Sequence, residues 1–250
     1  YYWDDDLSGG TDYKTNDYAT WNGVGSVGGN GKTPNGYIPS GQGFVIKANS
    51  SGNVLFRTNM RVVNAGVSIK SNEEESVYAE RVYLQINSTN DTRQNELLVA
   101  MTENATFGFD RLFDSHKLKG NANISFYSLL GNEKLAIQSF PTDHNVYNVN
   151  IGYDLKESGS FEIKLKNTEN TAKYIYLEDK QTNTFTNLKN TNYYFNSNSG
   201  IINDRFVLHI TDWVLSNKNI EEITEAEIKF INAENNVEIL NLTPNTKVTI

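Results

Sequence analysis

Residues 147–165 read YNVNIGYDLKESGSFEIKL and alternate apolar and polar side chains on both sides of a polar turn. Successive side chains of an extended strand point to opposite faces of a sheet, so each half of this stretch has one apolar and one polar face. Antiparallel sheets commonly bury one face and leave the other in water. The stretch therefore predicts two β-strands of that kind.

The same two-residue period recurs on either side of this stretch, at the spacing of roughly 8 to 12 residues that is typical of β-sandwiches. Residues 174–177 are apolar on both faces and predict a central strand. The alternating segments are 44–48 and 54–56, which form a predicted hairpin, and then 82–86, 97–101 and 206–210. Together they predict an all-β chain of antiparallel β-sandwich units, immunoglobulin-like or jelly-roll-like.

Little helix is expected. Phe109, Leu112 and Phe113 have the i, i+3, i+4 spacing of one helical turn. Elsewhere the abundant Asn, Ser, Thr and Gly compete for backbone hydrogen bonds and favour turns over helix interiors. One turn near residues 109–114 is therefore the predicted helical element.

The composition excludes several classes of protein. The net charge is -8, so a polyanion such as DNA would be repelled and nucleic-acid binding is not expected. The chain has no cysteine, which excludes disulfides, thiolate metal sites and cysteine nucleophiles. No run approaches about 18 apolar residues, so no transmembrane segment is expected.

Breaks in the pattern predict four segments: a first β unit over residues 1–70, a β-sandwich over 78–212, a linker over 213–227 and a small β unit over 228–250. Whether the first two share one core stays open at this point. The chain opens on YYWDDD, inside a strand pattern, and ends on NTKVTI without a closing turn. We therefore expect a fragment of a longer protein, with any export signal upstream of it.

Two blocks carry a family resemblance: TFGFDRLFDSHKLKGNANISFYSLLGNEKLAIQSF at residues 106–140 and NDRFVLHIT at residues 203–211. They resemble the non-catalytic β-sandwich region near the C-terminus of secreted and surface-anchored proteins that gliding and related bacteria export by the type IX secretion route. Residues 1–23 and 35–62 fit the same family, so the resemblance covers most of residues 1–212.

The resemblance implies a structural or adhesive region of an adhesin or gliding-type protein, secreted or held on the outer face of the outer membrane. It makes residues 228–250 the start of a C-terminal sorting domain, with the type IX translocon and shuttle proteins as partners and surface polysaccharide as a further partner. The tail lacks the family's Asn-Pro pair after the first strand and its terminal basic strand. The alternative interpretation is a carbohydrate-binding module of a secreted hydrolase.

Four aromatic residues near the start of the chain form the candidate ligand-binding set: Trp3, Tyr13, Tyr18 and Trp21. They lie among Gly, Asn and Asp, and aromatic faces beside amide groups are a common means of holding sugar rings. The same side chains would also suit the core of the first β unit, where their large apolar area stabilises most. The core interpretation is favoured, and glycan binding is the competing hypothesis.

An acidic segment in the same region has the register of a calcium-binding loop. Asp4, Asp6, Ser8 and Asp12 occupy positions 1, 3, 5 and 9, with a glycine at position 6. Position 12, where such loops carry a bidentate Glu, is a threonine. A solvated acidic loop is therefore favoured over a Ca²⁺ site, and no other cofactor is expected.

The chain is not expected to be an enzyme. It contains no HExxH, GxSxG or phosphate-binding loop. His209 is expected on the outer face of a strand and His144 in a turn. His116 directly follows Asp114 and Ser115, and a catalytic triad cannot form locally because its members must converge from different elements.

Asp110 and Asp114 in the motif GFDRLFD are the most specific residues of the first block. Short acidic side chains beside Gly and Ser commonly accept backbone N–H bonds and thereby fix a turn. That structural role is expected for both residues, with direct ligand contact as the alternative.

Overall fold

The computed structural model describes residues 1–4, 17–28, 33–38, 40–46, 48, 51–61, 78–118, 120 and 123–214, together with the backbone of residues 227–231 and 236–240. The chain divides into two compact units, Tyr1–Val214 and Leu215–Ile250. The described residues form strands, turns and one 3-10 helix, which confirms the predicted all-β class. None of the described helical residues forms a segment long and apolar enough to cross a bilayer.

Sixteen strands lie in the described part of the chain. They are β1 (Tyr2–Asp4), β2 (Asp17–Trp21), β3 (Ser26–Val27), β4 (Ala79–Ser88), β5 (Gln94–Thr102), β6 (Ser115–His116), β7 (Ile124–Leu130), β8 (Glu133–Phe140), β9 (Val146–Leu155), β10 (Gly159–Glu169), β11 (Tyr174–Asp179), β12 (Thr184–Asn187), β13 (Tyr193–Ser197), β14 (Gly200–Thr211), β15 (Glu227–Ile231) and β16 (Asn236–Leu240). The 3-10 helix is Thr58–Met60.

The first unit contains a main sheet of eleven strands and a small sheet, β1-β2-β3. The main sheet has the order β12-β11-β14-β9-β7-β8-β5-β4-β10-β13, and β6 pairs with β8 beside this path. Its described pairs are antiparallel except β5 with β8, where Leu98 lies opposite Ile137 in a parallel register. In the second unit, β15 and β16 form an antiparallel pair.

The two strands predicted from residues 147–165 are β9 and β10, and they occupy different parts of the main sheet. β9 pairs with β7 and β14, whereas β10 pairs with β4 and β13. Their apolar side chains nevertheless belong to one core, which includes Tyr147 and Tyr153 from β9 and Phe161 from β10. The main sheet therefore folds over on itself, and the chain crosses between its two layers at residues 156–158.

The core between these layers receives side chains from most strands of the main sheet. Burying a large apolar side chain contributes about 1.5–3 kcal/mol, so this cluster is the main stabilising element of a chain that has no disulfide. Its members are Val82, Leu84, Ile86, Leu97, Val99, Met101, Ile124, Phe126, Phe140, Tyr147, Val149, Ile151, Tyr153, Leu155, Phe161, Ile163, Ile175, Leu177, Leu188, Phe195, Phe206, Leu208 and Ile210.

The segment containing β2 and β3 packs on the main sheet through a second, smaller apolar cluster. Val27 contacts Leu98, Ala136 and Ile137, none of which belongs to the main core. Next to this cluster, the backbone N–H of Gly28 donates to a carboxylate oxygen of the buried Glu96 at 3.1 Å. Residues 17–28 are thus joined to the sandwich by both apolar contact and hydrogen bonding.

The predicted hairpin over residues 44–56 is wrong. Residues 54–56 form no strand, and Phe44 makes only an isolated bridge. The alternating side chains have no sheet to cover: Phe56 is 67% exposed, and its ring meets that of Phe44 edge-on at 6.0 Å. Alternation specifies two faces, but only a neighbouring strand and an apolar layer turn it into sheet.

The predicted helical turn is present as a single hydrogen-bonded turn. The N–H groups of Phe113 and Asp114 both donate to the carbonyl of Asp110, at 3.0 and 2.7 Å. Phe113 packs against a small cluster that includes Val24, whereas Leu112 projects into solvent. The turn therefore serves as a surface feature rather than as a core helix.

Candidate functional site

A pocket of about 260 Å³ brings together one predicted ligand residue and the GFDRLFD block. We call it the aromatic pocket. It is defined by Trp21, Asn22, Phe109, Arg111, Asp114 and His116, and is completed by Tyr1, Val45, Ile46 and Ser115.

Trp21 supplies the larger aromatic surface of this pocket. It is the last residue of β2, and its side chain is 44% exposed. Part of the indole lies against the backbone of Gly36, which has φ +86°; a Cβ at this position would stand 2.8 Å from the ring. A side chain larger than hydrogen there would push the indole away, so this glycine maintains the position of Trp21.

Phe109 supplies the second aromatic surface and is 39% exposed. Its ring packs against the imidazole of His116, with centroids 4.5 Å apart. The His116 Nε2 atom lies 3.0 Å from a carboxylate oxygen of Glu133, which holds the imidazole in place. The indole of Trp21 and the phenyl ring of Phe109 are thus the most exposed aromatic surfaces of the pocket.

Asn22 joins the two sides of the pocket. Its amide nitrogen donates to the carbonyl of Phe113 at 2.8 Å and to the hydroxyl of Ser115 at 3.1 Å. Its amide oxygen accepts the N–H groups of Val24 and Gly25 at 3.0 and 3.2 Å. One side chain therefore connects the loop after β2 to the segment that carries Phe109.

The acidic residues of GFDRLFD fix this segment, as expected. Asp110 accepts the N–H of Thr106 at 2.5 Å. The two oxygens of Asp114 accept the N–H groups of Asp110 and Ser139, each at 2.7 Å. Burial raises the pKa of Asp114 to about 6, although the two backbone hydrogen bonds favour its charged form and oppose this shift.

Of the other predicted ligand residues, Tyr18 does not line the aromatic pocket. Trp3 pairs with Tyr18 across β1 and β2, and the Tyr18 side chain is half-buried. Tyr13 lies outside the described residues. Of the two predicted ligand residues whose side chains are described, Tyr18 and Trp21, Trp21 lines the pocket. Because it is exposed, it is not part of a core.

The predicted calcium loop falls almost entirely outside the described residues. Asp4 is described by its backbone on β1, and Asp6, Ser8 and Asp12 are not described. Within the described part of the chain, no group of three His, Asp or Glu side chains is arranged to hold a metal ion. The Ca²⁺ site therefore remains a prediction.

The three histidines lie apart from one another, each beside a carboxylate. His209 is on the outer face of β14, as predicted, between Asn148 at 2.7 Å and Glu178 at 2.8 Å. His144 lies 2.7 Å from Asp143 in an exposed turn. In the described residues, each imidazole is thus held by neighbouring polar groups on the surface.

A second and larger site was not anticipated from the sequence. It is an open cleft of about 770 Å³, lined by residues within the segments 153–160, 180–181 and 196–205. We call it the polar cleft. Its residues come mainly from three turns and from an irregular stretch of one strand. These turns contain Asn, Ser and Gly, as many other turns in this chain do. Nothing in the local sequence marked these turns as converging.

Comparison with known proteins gives one match. A family model described as "Domain of unknown function (DUF8693)" matches residues 4–210. No curated protein and no solved structure matches the chain. The matched range includes the main sheet apart from the last residue of β14, strands β2 and β3, the whole polar cleft, and the aromatic pocket apart from Tyr1.

Proposed function

The chain belongs to the DUF8693 family of domains of unknown function, and we propose that it is a non-catalytic structural or adhesive region of a bacterial cell-surface protein exported by the type IX route. The observation that supports this proposal most is the order of its parts. A sandwich with one continuous apolar core is followed along the chain by a separate small β unit, Leu215–Ile250. That is the order of stalk and sorting domain in the proteins that the sequence resembles.

Several features of the sandwich suit a load-bearing role. β9 pairs with β14 along nearly its whole length, and its C-terminal half, residues 150–155, also pairs with β7. Buried polar groups such as Asp179 and Glu96 are paired with Arg205 and Lys166. A secreted domain without cysteine must resist unfolding by packing of this kind. In this proposal, the tail contacts the type IX translocon and the sandwich remains at the cell surface.

Export would be tested in a bacterium that has the type IX system and in an isogenic strain that lacks its outer-membrane translocon. An epitope-tagged full-length gene product is expressed in both, and surface exposure is measured by antibody labelling and protease digestion of intact cells. We expect labelling in the parent strain and retention inside the outer membrane in the mutant. Equal surface exposure in the two strains would contradict the proposal.

The tail can be examined in the same assay. A variant lacking residues 215–250 retains the whole first unit, Tyr1–Val214, so it should fold and remain detectable inside the cell. We expect loss of surface labelling without loss of total protein. A periplasmic protein of the same strain serves as the control for outer-membrane integrity. Unchanged surface labelling would remove the sorting role of the tail.

Carbohydrate binding is the second candidate function, and the aromatic pocket is the observation that favours it. Trp21 and Phe109 present apolar ring surface to solvent, and Asn22, Arg111 and Asp114 place polar groups beside the rings. Concave sites that combine apolar surface with a few oriented polar groups are typical of small-ligand binding. A sugar ring offers the matching chemistry, with C–H groups on its faces and hydroxyls on its edge.

A glycan array probed with the full chain and with Trp21→Ala and Phe109→Ala variants tests this second function. If the rings form the contact surface, each variant should bind any glycan that the parent chain retains with an affinity lower by more than about tenfold. Tyr194→Ala is the matched control, because Tyr194 is an exposed aromatic residue that lies outside the pocket. An array without hits, or hits that both pocket variants keep, would exclude this site.

A further inference from the structure

The polar cleft lies where three turns of the sandwich meet. They are the turn between β9 and β10, the turn between β11 and β12, and the turn between β13 and β14. Loops held by a rigid scaffold are the usual location of binding residues. All residues that line the cleft lie between 153 and 205, inside the described part of the main sheet.

An irregularity in β14 opens this part of the sheet. Ile202 lies opposite Tyr153 and Phe206 lies opposite Ile151, so three residues of β14 face a single residue of β9, Gly152. Such bulges bend a strand and redirect its side chains, and they are frequent beside functional sites. The irregular stretch is residues 203–205, and Asp204 and Arg205 are among the residues that line the cleft.

The floor of the cleft is held in a fixed geometry. Arg205 donates to the carbonyl of Asn196 at 2.9 Å and to the carboxylate of Asp179 at 2.7 Å. The hydroxyls of Tyr153 and Ser197 are 3.1 Å apart and hydrogen-bonded. These contacts leave little freedom in the floor, so a ligand would meet a preorganised surface.

The rim, by contrast, carries unused hydrogen-bonding capacity. In the part of the chain that the structure describes, the exposed side chains of Lys180, Gln181, Asn198 and Asp204 make no hydrogen bond or ion pair to another residue. They provide ammonium, amide and carboxylate groups on three sides of one cavity. Half-buried Ile202 adds an apolar contact between them.

The charges of the cleft favour an uncharged ligand. Lys180 and Asp204 have opposite charges, and the charge of Arg205 is neutralised by the buried Asp179. The whole chain carries a net charge of -8, which disfavours a polyanion. A volume of about 770 Å³ is also within the usual range of sites for small organic ligands, roughly 300–1,000 Å³.

We propose that the polar cleft binds a short segment of a neutral oligosaccharide, whose hydroxyls would pair with the amide and charged groups of the rim. This site shares no residue with the aromatic pocket and does not depend on type IX export. Its ligand class follows from many donors and acceptors, balanced charge and a small apolar surface at its base.

The test is a nuclear magnetic resonance titration of the isotope-labelled full chain. The titrants are the tetrasaccharides of cellulose, xylan, mannan, starch and laminarin, with tetragalacturonate as the charged comparison. At least one neutral titrant should produce saturable shifts of the side-chain amides of Gln181, Asn196 and Asn198. Asn198→Ala and Gln181→Ala should each lower the affinity for that titrant by about 3- to 10-fold, which is the effect of losing one hydrogen bond.

Asn150→Ala is the matched control, because Asn150 is an exposed asparagine of β9 that does not line the cleft. The affinity of this variant for the neutral titrant should equal that of the parent chain. Three outcomes would overturn the proposal. They are no shift with any neutral titrant, binding of tetragalacturonate alone, and shifts centred on Trp21 and Phe109 that Trp21→Ala abolishes. The last would assign binding to the aromatic pocket instead.

Discussion

Arg205 donates two hydrogen bonds, from Nε and Nη2, to a single carboxylate oxygen of Asp179, at 3.0 and 2.7 Å. The same oxygen accepts the hydroxyl of Tyr193 at 2.7 Å. Asp179 ends β11 and Tyr193 begins β13, two strands near opposite ends of the main sheet. This carboxylate therefore links strands near the two ends of the sheet, and together with the bond from Arg205 to the carbonyl of Asn196 it holds the folded-over sheet closed.

Asp179→Ala should destabilise the first unit by about 3 kcal/mol, because it leaves the largely buried guanidinium of Arg205, whose side chain is 11% exposed, without its counter-charge. Urea denaturation followed by circular dichroism measures the change. Asp91→Ala is the control: Asp91 pairs with Arg93 at 2.6 Å on the surface, where the loss of an ion pair costs about 0–1 kcal/mol. Equal losses for the two variants would mean that Asp179 does not close the sheet.

Gly152→Ala should disturb the bulge in β14. A Cβ at this position would overlap the ring of Tyr127 and stand 2.6 Å from the side-chain oxygen of Asn203, which accepts the Tyr127 hydroxyl at 3.0 Å. Forcing an extra carbon into a packed site typically costs about 1–3 kcal/mol. We expect a lower melting temperature and altered amide resonances at residues 203–205. Gly43→Ala, with open space around the new carbon, should leave both unchanged.

The strands of the sandwich were predictable from sequence because each has its own two-residue pattern. β9 and β10 appear in the alternation of residues 147–165, yet their partners do not. Alternation specifies which side chains face the core, whereas pairing depends on the whole set of strands competing for neighbours. Residues 44–56 show the reverse case, in which alternation is present and no sheet forms.

The candidate sites were predictable only in part, for a similar reason. Trp21 was singled out by its type and its polar neighbours, but Phe109 and His116 join it in the pocket from a segment 88 to 95 positions later in the chain. The structural role of Asp110 and Asp114 followed from local turn chemistry and is confirmed. Convergence of distant segments depends on tertiary packing and leaves no local signal.

Asp114 should make stability depend on pH in an uncommon direction. Burial raises its pKa to about 6, above the usual 3.8, so the folded state binds this proton more tightly than the unfolded state does. The contribution of Asp114 to the free energy of unfolding should therefore increase as the pH falls from about 7 to about 4. A shift of about two units corresponds to at most about 3 kcal/mol.

The pH effect is isolated by comparing the parent chain with Asp114→Asn, since other titrating groups contribute equally to both. The difference in unfolding free energy between the two proteins should change in favour of the parent chain by about 1–3 kcal/mol between pH 7 and pH 4. A difference that is independent of pH, or that favours the variant at low pH, would contradict the raised pKa.

Asn22→Ala should loosen the aromatic pocket without unfolding the sandwich. The substitution removes two donated and two accepted hydrogen bonds, including the 2.8 Å bond to the carbonyl of Phe113. Leaving partly buried partners unpaired costs about 1–3 kcal/mol, and this cost falls on the segment of residues 17–28 because the main core does not include it. Hydrogen exchange should accelerate in β2 and β3 while β9 and β14 keep their protection. If all four strands lose protection together, the segment and the sandwich unfold as one cooperative unit, and the pocket is not an independently mobile element.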